Sequence, residues 1–338
     1  MRAALFKAVG QPLSIENVPD PTPGPREVVV KIGRCGICGT DLHMTDGHGM
    51  TYPMGSIPGH EFAGEVVALG SQVEGIKLGD IVAAQPVTGC GNCAACLAGE
   101  PKHCPQMVGI GSAFAEYTRA GFRECVKLPG TLSLADGALI EPLAVGLHGV
   151  TVAEMKPGAR VLVIGAGPIG LAAAYWARRL GATRIGVMAR STRHESFAYA
   201  MGATAYLTTS ENSAAAAAAA LGGAPEFVFE CVGRPGMINL AMNCVARKGT
   251  VVVLGFCSVA DTLGPSDALF KELKLVYSNI YSTREFEIVA DAMDSGAVEP
   301  RSMITDTVSL NNLPKAFENL RTPTSECKVM LDPWARDA

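Results

Sequence analysis

The chain has 338 residues, more than a single hydrophobic core usually serves, so two domains are expected. Its formal net charge of −4, with no block of basic residues, lacks the electrostatic footprint of a nucleic-acid binder and points to a small ligand. Eleven cysteines are too sparse for a disulfide scaffold, and four of them are regularly spaced, which predicts a reducing, cytoplasmic setting.

At the amino terminus Lys7 interrupts the sequence before an apolar h-region can form, which argues against a signal peptide. Short β-branched runs at 28–32, 65–69 and 80–83 read as strands, separated by the Pro- and Gly-rich connectors 19–25 and 53–59. The stretch up to about residue 128 therefore predicts an irregular β-rich domain, with a further strand at 114–117. Within it, Cys35-Gly-Ile-Cys38 has redox-motif spacing but no surrounding βαβ pattern. Cys38 with His60 and Glu61 instead offers the mixed S, N and O donors of a catalytic zinc. Downstream, Cys90, Cys93, Cys96 and Cys104 have the spacing that closes four thiolates around one tetrahedral zinc, a structural site, with an iron–sulfur centre as the minor alternative.

After residue 158 the texture changes to alternating strands (160–164, 184–188) and helices (168–180, 192–201). Later strands are expected at 226–231, 250–254 and 273–280, together predicting a doubly wound parallel sheet. The longest apolar stretch, 161–177, is broken by Gly165, Gly167, Pro168 and Gly170 and is too punctuated for a membrane span. Gly165-Ala-Gly167-Pro168-Ile169-Gly170 follows a strand and opens a helix, the context of a dinucleotide-binding turn. At the end of the second strand, Ala189-Arg190-Ser191-Thr192-Arg193 has no carboxylate for a ribose 2′-OH. Arg190, Arg193 and Ser191 suit a 2′-phosphate, so NADP is favoured over NAD. The alanine run 214–220 reads as an exposed connecting helix, 285–295 as a helix and 328–331 as a late strand able to return to the first domain.

Taken together, Cys38-Gly-Thr-Asp-Leu-His43, Gly59-His60-Glu61, the four-cysteine run, Glu141-Pro-Leu-Ala144 and the glycine fingerprint resemble the zinc-dependent medium-chain dehydrogenase/reductase family over nearly the whole chain. The resemblance implies a GroES-like β-rich catalytic domain, 1–144 completed by 284–338, around a Rossmann domain at 145–283, with the active site in the cleft between them. It implies a catalytic zinc on Cys38 and His60, with Glu61 and Glu141 as remaining or exchanging ligands, and leaves open which carboxylate binds at rest. It gives Thr40 the proton of a bound alcohol, His43 the far end of a relay and Asp41 the orientation of His60.

The expected activity is a zinc- and NADP-dependent alcohol dehydrogenase or carbonyl reductase acting on a small secondary alcohol or polyol and its ketone. Two zincs per chain and a homodimer or homotetramer joined through the Rossmann sheet are implied. An NAD-dependent polyol or amino-alcohol dehydrogenase is the second reading, and a non-catalytic nucleotide- and zinc-binding sensor the third. His48, His103, His148 and His194 read as structural or surface residues, and Met44, Met50 and Met54 as pocket lining or gap fillers. The segment after Cys104 is shorter than is common in the family, and no motif identifies the alcohol.

Overall fold

The computed structural model describes residues 1–109 and 111–336, which divide into two compact units, Met1–Glu141 with Tyr281–Ala338, and Pro142–Ile280.

The first unit is built on the strand Glu27–Gly36, whose sequence EVVVKIGRCG is rich in the β-branched residues that suit a pleated surface. It pairs antiparallel with Glu61–Leu69, Tyr117–Gly121 and the late strand Lys328–Asp332. The sheet extends on one side through Ile304–Ser309 and on the other through Ile81–Ala84 and Cys125–Lys127. Register shifts between Val29 and Val30 and between Ile32 and Arg34 bend the central pair, as bulges do. Val28, Val30, Ile32, Phe62, Val66 and Val82 are fully or almost fully inaccessible and form one core with Phe114, Phe317 and Leu331. The expected strand at 114–117 begins only at Tyr117; before it the Phe114 carbonyl accepts from the Ala4 N–H and the Glu116 N–H donates to the Arg2 carbonyl, an isolated antiparallel bridge to the amino-terminal strand Arg2–Leu5.

The second unit is a six-stranded, wholly parallel sheet. In chain order its strands are Arg160–Ile164, Arg184–Ala189, Ala205–Thr208, Phe227–Glu230, Thr250–Val253 and Lys274–Tyr277, and in space they run third, second, first, fourth, fifth, sixth. That reversal beside the first strand is the doubly wound arrangement, and it leaves a ligand crevice at the carboxyl ends of the strands where the order turns. The inner strands are apolar on both faces, as Val161, Leu162 and Val163 are all inaccessible.

Two expectations shift. The helix read as 192–201 is confined to Glu195–Ala200, because Ser191–His194 form a turn. The alanine run forms the helix Ser213–Leu221, but Ser213, Ala217 and Leu221 are buried. Its amphipathicity is one of position and size rather than polarity, since methyl groups pack close to a sheet, so the helix is only half exposed.

Candidate active site

Cys38 ends the chain's run out of the central strand and caps the short helix Gly39–His43: its sulfur accepts from the Thr40 N–H at 3.5 Å, while Asp41 accepts from the Cys38 N–H at 3.3 Å. His60 arrives from another direction. It follows Gly59, which has φ +91° and whose missing Cβ would lie 2.4 Å from the Phe114 ring, so no other residue fits that turn. Glu61 opens the next strand directly opposite Gly36. A Cβ on Gly36 would lie 2.1 Å from Glu61 Oε2, so the bare backbone there makes room for the carboxylate. The result is that one ligand atom each from Cys38, His60 and Glu61 lies within 4.8 Å of the others.

The surroundings of this trio are charged and almost dry. Asp41 has no exposed surface, and its Oδ1 accepts from the Tyr52 hydroxyl at 2.8 Å and the Gly59 N–H at 3.2 Å and faces His60 Nδ1 at 3.3 Å. Burial opposes ionisation of Asp41, but His60 and these hydrogen bonds outweigh it and hold its carboxyl below the usual range. Burial also opposes a charge on His60, yet Asp41 on one side and Cys38 on the other raise its pKa well above the ordinary value. The ring thus sits where positive charge is attracted. With Asp41 engaging Nδ1, Nε2 is the nitrogen left to a metal.

Lys328 completes the cluster. Its ammonium lies 2.8 and 2.6 Å from the two Glu61 oxygens and 3.0 Å from the Ile37 carbonyl, with both side chains 1 % exposed. Breaking such a pair by removing one partner costs about 3–5 kcal/mol, because the other charge is stranded. Sequence reading treated Lys328 only as the start of a strand. The signal was there in Cys327-Lys328-Val329-Met330-Leu331, a lone cation in an otherwise buried run. Tyr52 was missed as well.

Glu141 is not one of the trio. Its carboxyl accepts from the Tyr281 hydroxyl at 3.3 Å, and burial, partly offset by His60, pushes its pKa up to about 7. Thr40 and His43 lie three residues apart on the capped helix, hence on neighbouring positions of one face. The His43 ring is 36 % exposed, 3.6 Å from Asp46. Cys35, in contrast, belongs to the apolar core, where burial pushes its thiol well up.

Cys90, Cys93, Cys96 and Cys104 form the second group whose ligand atoms lie within 4.8 Å of one another. Cys93 caps the helical turn Ala94–Leu97, and Cys104 Sγ accepts from the Cys90 and Gln106 N–H groups, both at 3.3 Å. A backbone hydrogen bond from Asn92 helps to pull the Cys90 thiol down to about 6, whereas burial pushes Cys96 up to about 12. Tetrahedral zinc with Zn–S bonds of about 2.3 Å needs sulfurs roughly 3.8 Å apart, and this group fits it. The S, N, O trio, anionic and short of a fourth donor, fits a zinc with an open position.

In the second unit, Gly165 has φ +110° and a Cβ on Gly170 would lie 1.9 Å from the Gly165 carbonyl, so the strand and the helix Pro168–Arg179 approach too closely for a side chain. Gly167 caps that helix, Pro168 and Ile169 open it, and a Cβ on Gly167 would meet nothing within 4 Å, which leaves the helix amino terminus open to a pyrophosphate. Ala189 ends the second strand; Arg190 and Arg193 are exposed and Ser191 is half-buried, its carbonyl accepting from the Tyr206 hydroxyl at 2.7 Å.

Comparison with known proteins identifies the family. Residues 24–130 match the alcohol dehydrogenase GroES-like domain and residues 168–295 the zinc-binding dehydrogenase model. Sorbitol dehydrogenase of Bacillus subtilis is 31 % identical over 98 % of this chain and 97 % of its own. Among solved structures, a zinc-binding dehydrogenase from Sinorhizobium meliloti bound to NADP is 34 % identical with a TM-score of 0.88, covering 98 % of this chain and 99 % of that one. An alcohol dehydrogenase from E. coli CFT073 complexed with NADH is 28 % identical, also at 0.88, with the same coverage. Among the described residues no helix is long and apolar enough to cross a membrane.

Proposed function

Because the chain belongs to the zinc-dependent medium-chain dehydrogenase/reductase family, we propose that it interconverts a small secondary alcohol or polyol and its ketone with NADP(H) and carries two zincs. Family membership makes it an oxidoreductase acting on CH–OH groups of small molecules with zinc and a nicotinamide cofactor. The observation that carries the finer reading is the buried trio Cys38, His60 and Glu61.

In this reading Cys38, His60 and one of the carboxylates Glu61 or Glu141 hold the catalytic zinc, and Cys90, Cys93, Cys96 and Cys104 hold the structural one. When bound, the catalytic ion supplies Lewis acidity towards a hydroxyl oxygen and the nicotinamide supplies a hydride acceptor. Asp41 keeps the His60 ring in one tautomer and orientation. The Thr40 hydroxyl, able to accept and donate at once, takes the substrate proton. His43, one step along the same helix face and open to water, passes that proton out. Gly165, Gly167, Pro168, Ile169 and Gly170 receive the pyrophosphate.

NADP preference is supported by exposed Arg190 and Arg193 and by the absence of a carboxylate at 189–193. The NADH-bound neighbour favours the second reading, an NAD-dependent polyol or amino-alcohol dehydrogenase. The edge strand Lys274–Tyr277, with Leu269, Phe270 and Tyr277 64–73 % exposed around it, supports a homodimer joined there, alone or within a tetramer. A cytoplasmic location is part of the proposal.

A panel of secondary alcohols, polyols and L-threonine, assayed with NADP and with NAD alongside zinc analysis, tests it. Two zincs per chain and a higher kcat/KM with NADP are expected. Faster turnover with NAD would replace the first reading by the second, and one zinc with no alcohol-dependent reduction would leave a sensor.

A further inference from the structure

We propose that Arg321 is a positioning residue for proton release, clamping the carboxyl end of the helix Gly39–His43 so that His43 stays in line with Thr40. The inference rests on the reading that gives Thr40 the substrate proton and His43 its exit. A helix of five residues is too short to hold its own ends, since each end needs partners that its backbone cannot supply. The amino end has them in the capping box of Cys38 and Asp41. At the carboxyl end the Met44 N–H reaches the Thr40 carbonyl at 2.8 Å, but the bonds from Thr45 to Leu42 and from Asp46 to His43 stretch to 3.3 and 3.4 Å.

Arg321 strengthens that end. Its Nη1 donates to the Leu42 carbonyl at 3.0 Å and its Nη2 to the Thr45 hydroxyl at 2.8 Å. Thr45 is 2 % exposed, and its oxygen lies 2.9 Å from the Asp41 carbonyl and 3.0 Å from the Leu42 carbonyl, so its proton goes to one of these. One planar fork thus holds the backbone of the two residues between Thr40 and His43. The fork is itself aimed: Nε donates to Glu318 Oε2 at 2.9 Å, and the guanidinium lies 5.3 Å from the ring centre of the fully buried Phe317. A positive charge also suits the carboxyl end of a helix. The effect of Arg321 on the proton passes through that backbone.

The test uses the zinc-loaded enzyme with NADP and the alcohol of the panel that it oxidises fastest. Wild type is compared with Arg321→Met, Arg321→Lys, Thr45→Val, His43→Gln and the double variant Arg321→Met/His43→Gln. Hydrogen exchange over residues 39–46, followed by mass spectrometry without substrate, gives a readout independent of turnover. Arg321→Met should lower kcat about 10-fold, leave KM for NADP and alcohol within about 2-fold, and quicken exchange over 39–46 about 10-fold. Arg321→Lys, whose ammonium reaches one acceptor but cannot fork across two, should recover part of both losses. Thr45→Val should move both readouts the same way by about 3-fold, and it carries the test if Arg321→Met does not fold. His43→Gln should slow kcat at least as much as Arg321→Met, and the double variant should be no slower than His43→Gln alone. Losses that multiply in the double variant, or exchange or kcat unchanged in Arg321→Met or in Thr45→Val standing in for it, would overturn the proposal. A kcat unchanged in His43→Gln, or no alcohol oxidised by wild type, would instead overturn the relay reading, and this inference with it.

Discussion

Cys90, Cys93, Cys96 and Cys104 come from one short stretch of chain, offer four like donors and, apart from Cys104, are partly open to solvent. Cys38, His60 and Glu61 come from the end of one strand and the start of another, offer three unlike donors and are backed by Asp41, Tyr52 and Lys328. The first arrangement has donors enough to saturate a tetrahedral ion. The second offers one donor fewer than a tetrahedral ion takes and is ringed by the charges of Asp41 and Lys328. On the proposed function, regular spacing accompanies structure, and chemistry falls to the irregular cluster.

The sharpest way to break that contrast is Cys38→Ala. Turnover should fall on the order of 10⁴-fold and zinc drop from two to one per chain, with NADPH binding and Tm little changed; stopped-flow rates and metal analysis decide it. Cys93→Ser should do the reverse, lowering Tm by about 10 °C in calorimetry through loss of the structural ion while turnover per folded, loaded molecule persists.

A smaller effect follows from Glu141, whose pKa of about 7 in the folded, metal-free protein lies above the unfolded value. A raised carboxyl pKa means that the native state holds more protons between those two values. The contribution of Glu141 to the stability of the metal-free protein should therefore be full below about pH 4 and decline by roughly 1–3 kcal/mol as pH rises towards 7. Urea titrations across that window should show the slope, and Glu141→Gln should flatten it. Smallest is Arg190→Asp, expected to shift the ratio of kcat/KM for NADP over NAD by about 10- to 100-fold towards NAD. An unchanged ratio would remove Arg190 from the cofactor site.

What was legible in the sequence was what is local. The turn around Gly165 and Gly170 and the four-cysteine spacing each lie within a few residues, so their chemistry is written where it acts. The strand 160–164 was readable for the same reason, being an unbroken apolar run with glycines at its end. Lys328 was not legible as a partner of Glu61, because period-two alternation gives a strand's faces but not which distant carboxylate one face meets. The alanine helix misled because propensity counts methyl groups as small payload, while Ala217 and Leu221 lie against the sheet of the second unit. The start of the helix at Glu195 was blurred by Ser191 and Thr192, residues as suited to a turn as to a cap.

Glu61 and Lys328 are 267 positions apart. At a synthesis rate of about 5–20 residues per second, Glu61 leaves the ribosome roughly 13–50 s before its counter-ion exists. The strand Glu27–Gly36 waits as long for Lys328–Asp332. The four-cysteine lobe has no such delay, since every thiol it needs emerges together. During biosynthesis the lobe can load its ion early, whereas the buried cluster around Cys38 is finished only when the last strand of its sheet arrives.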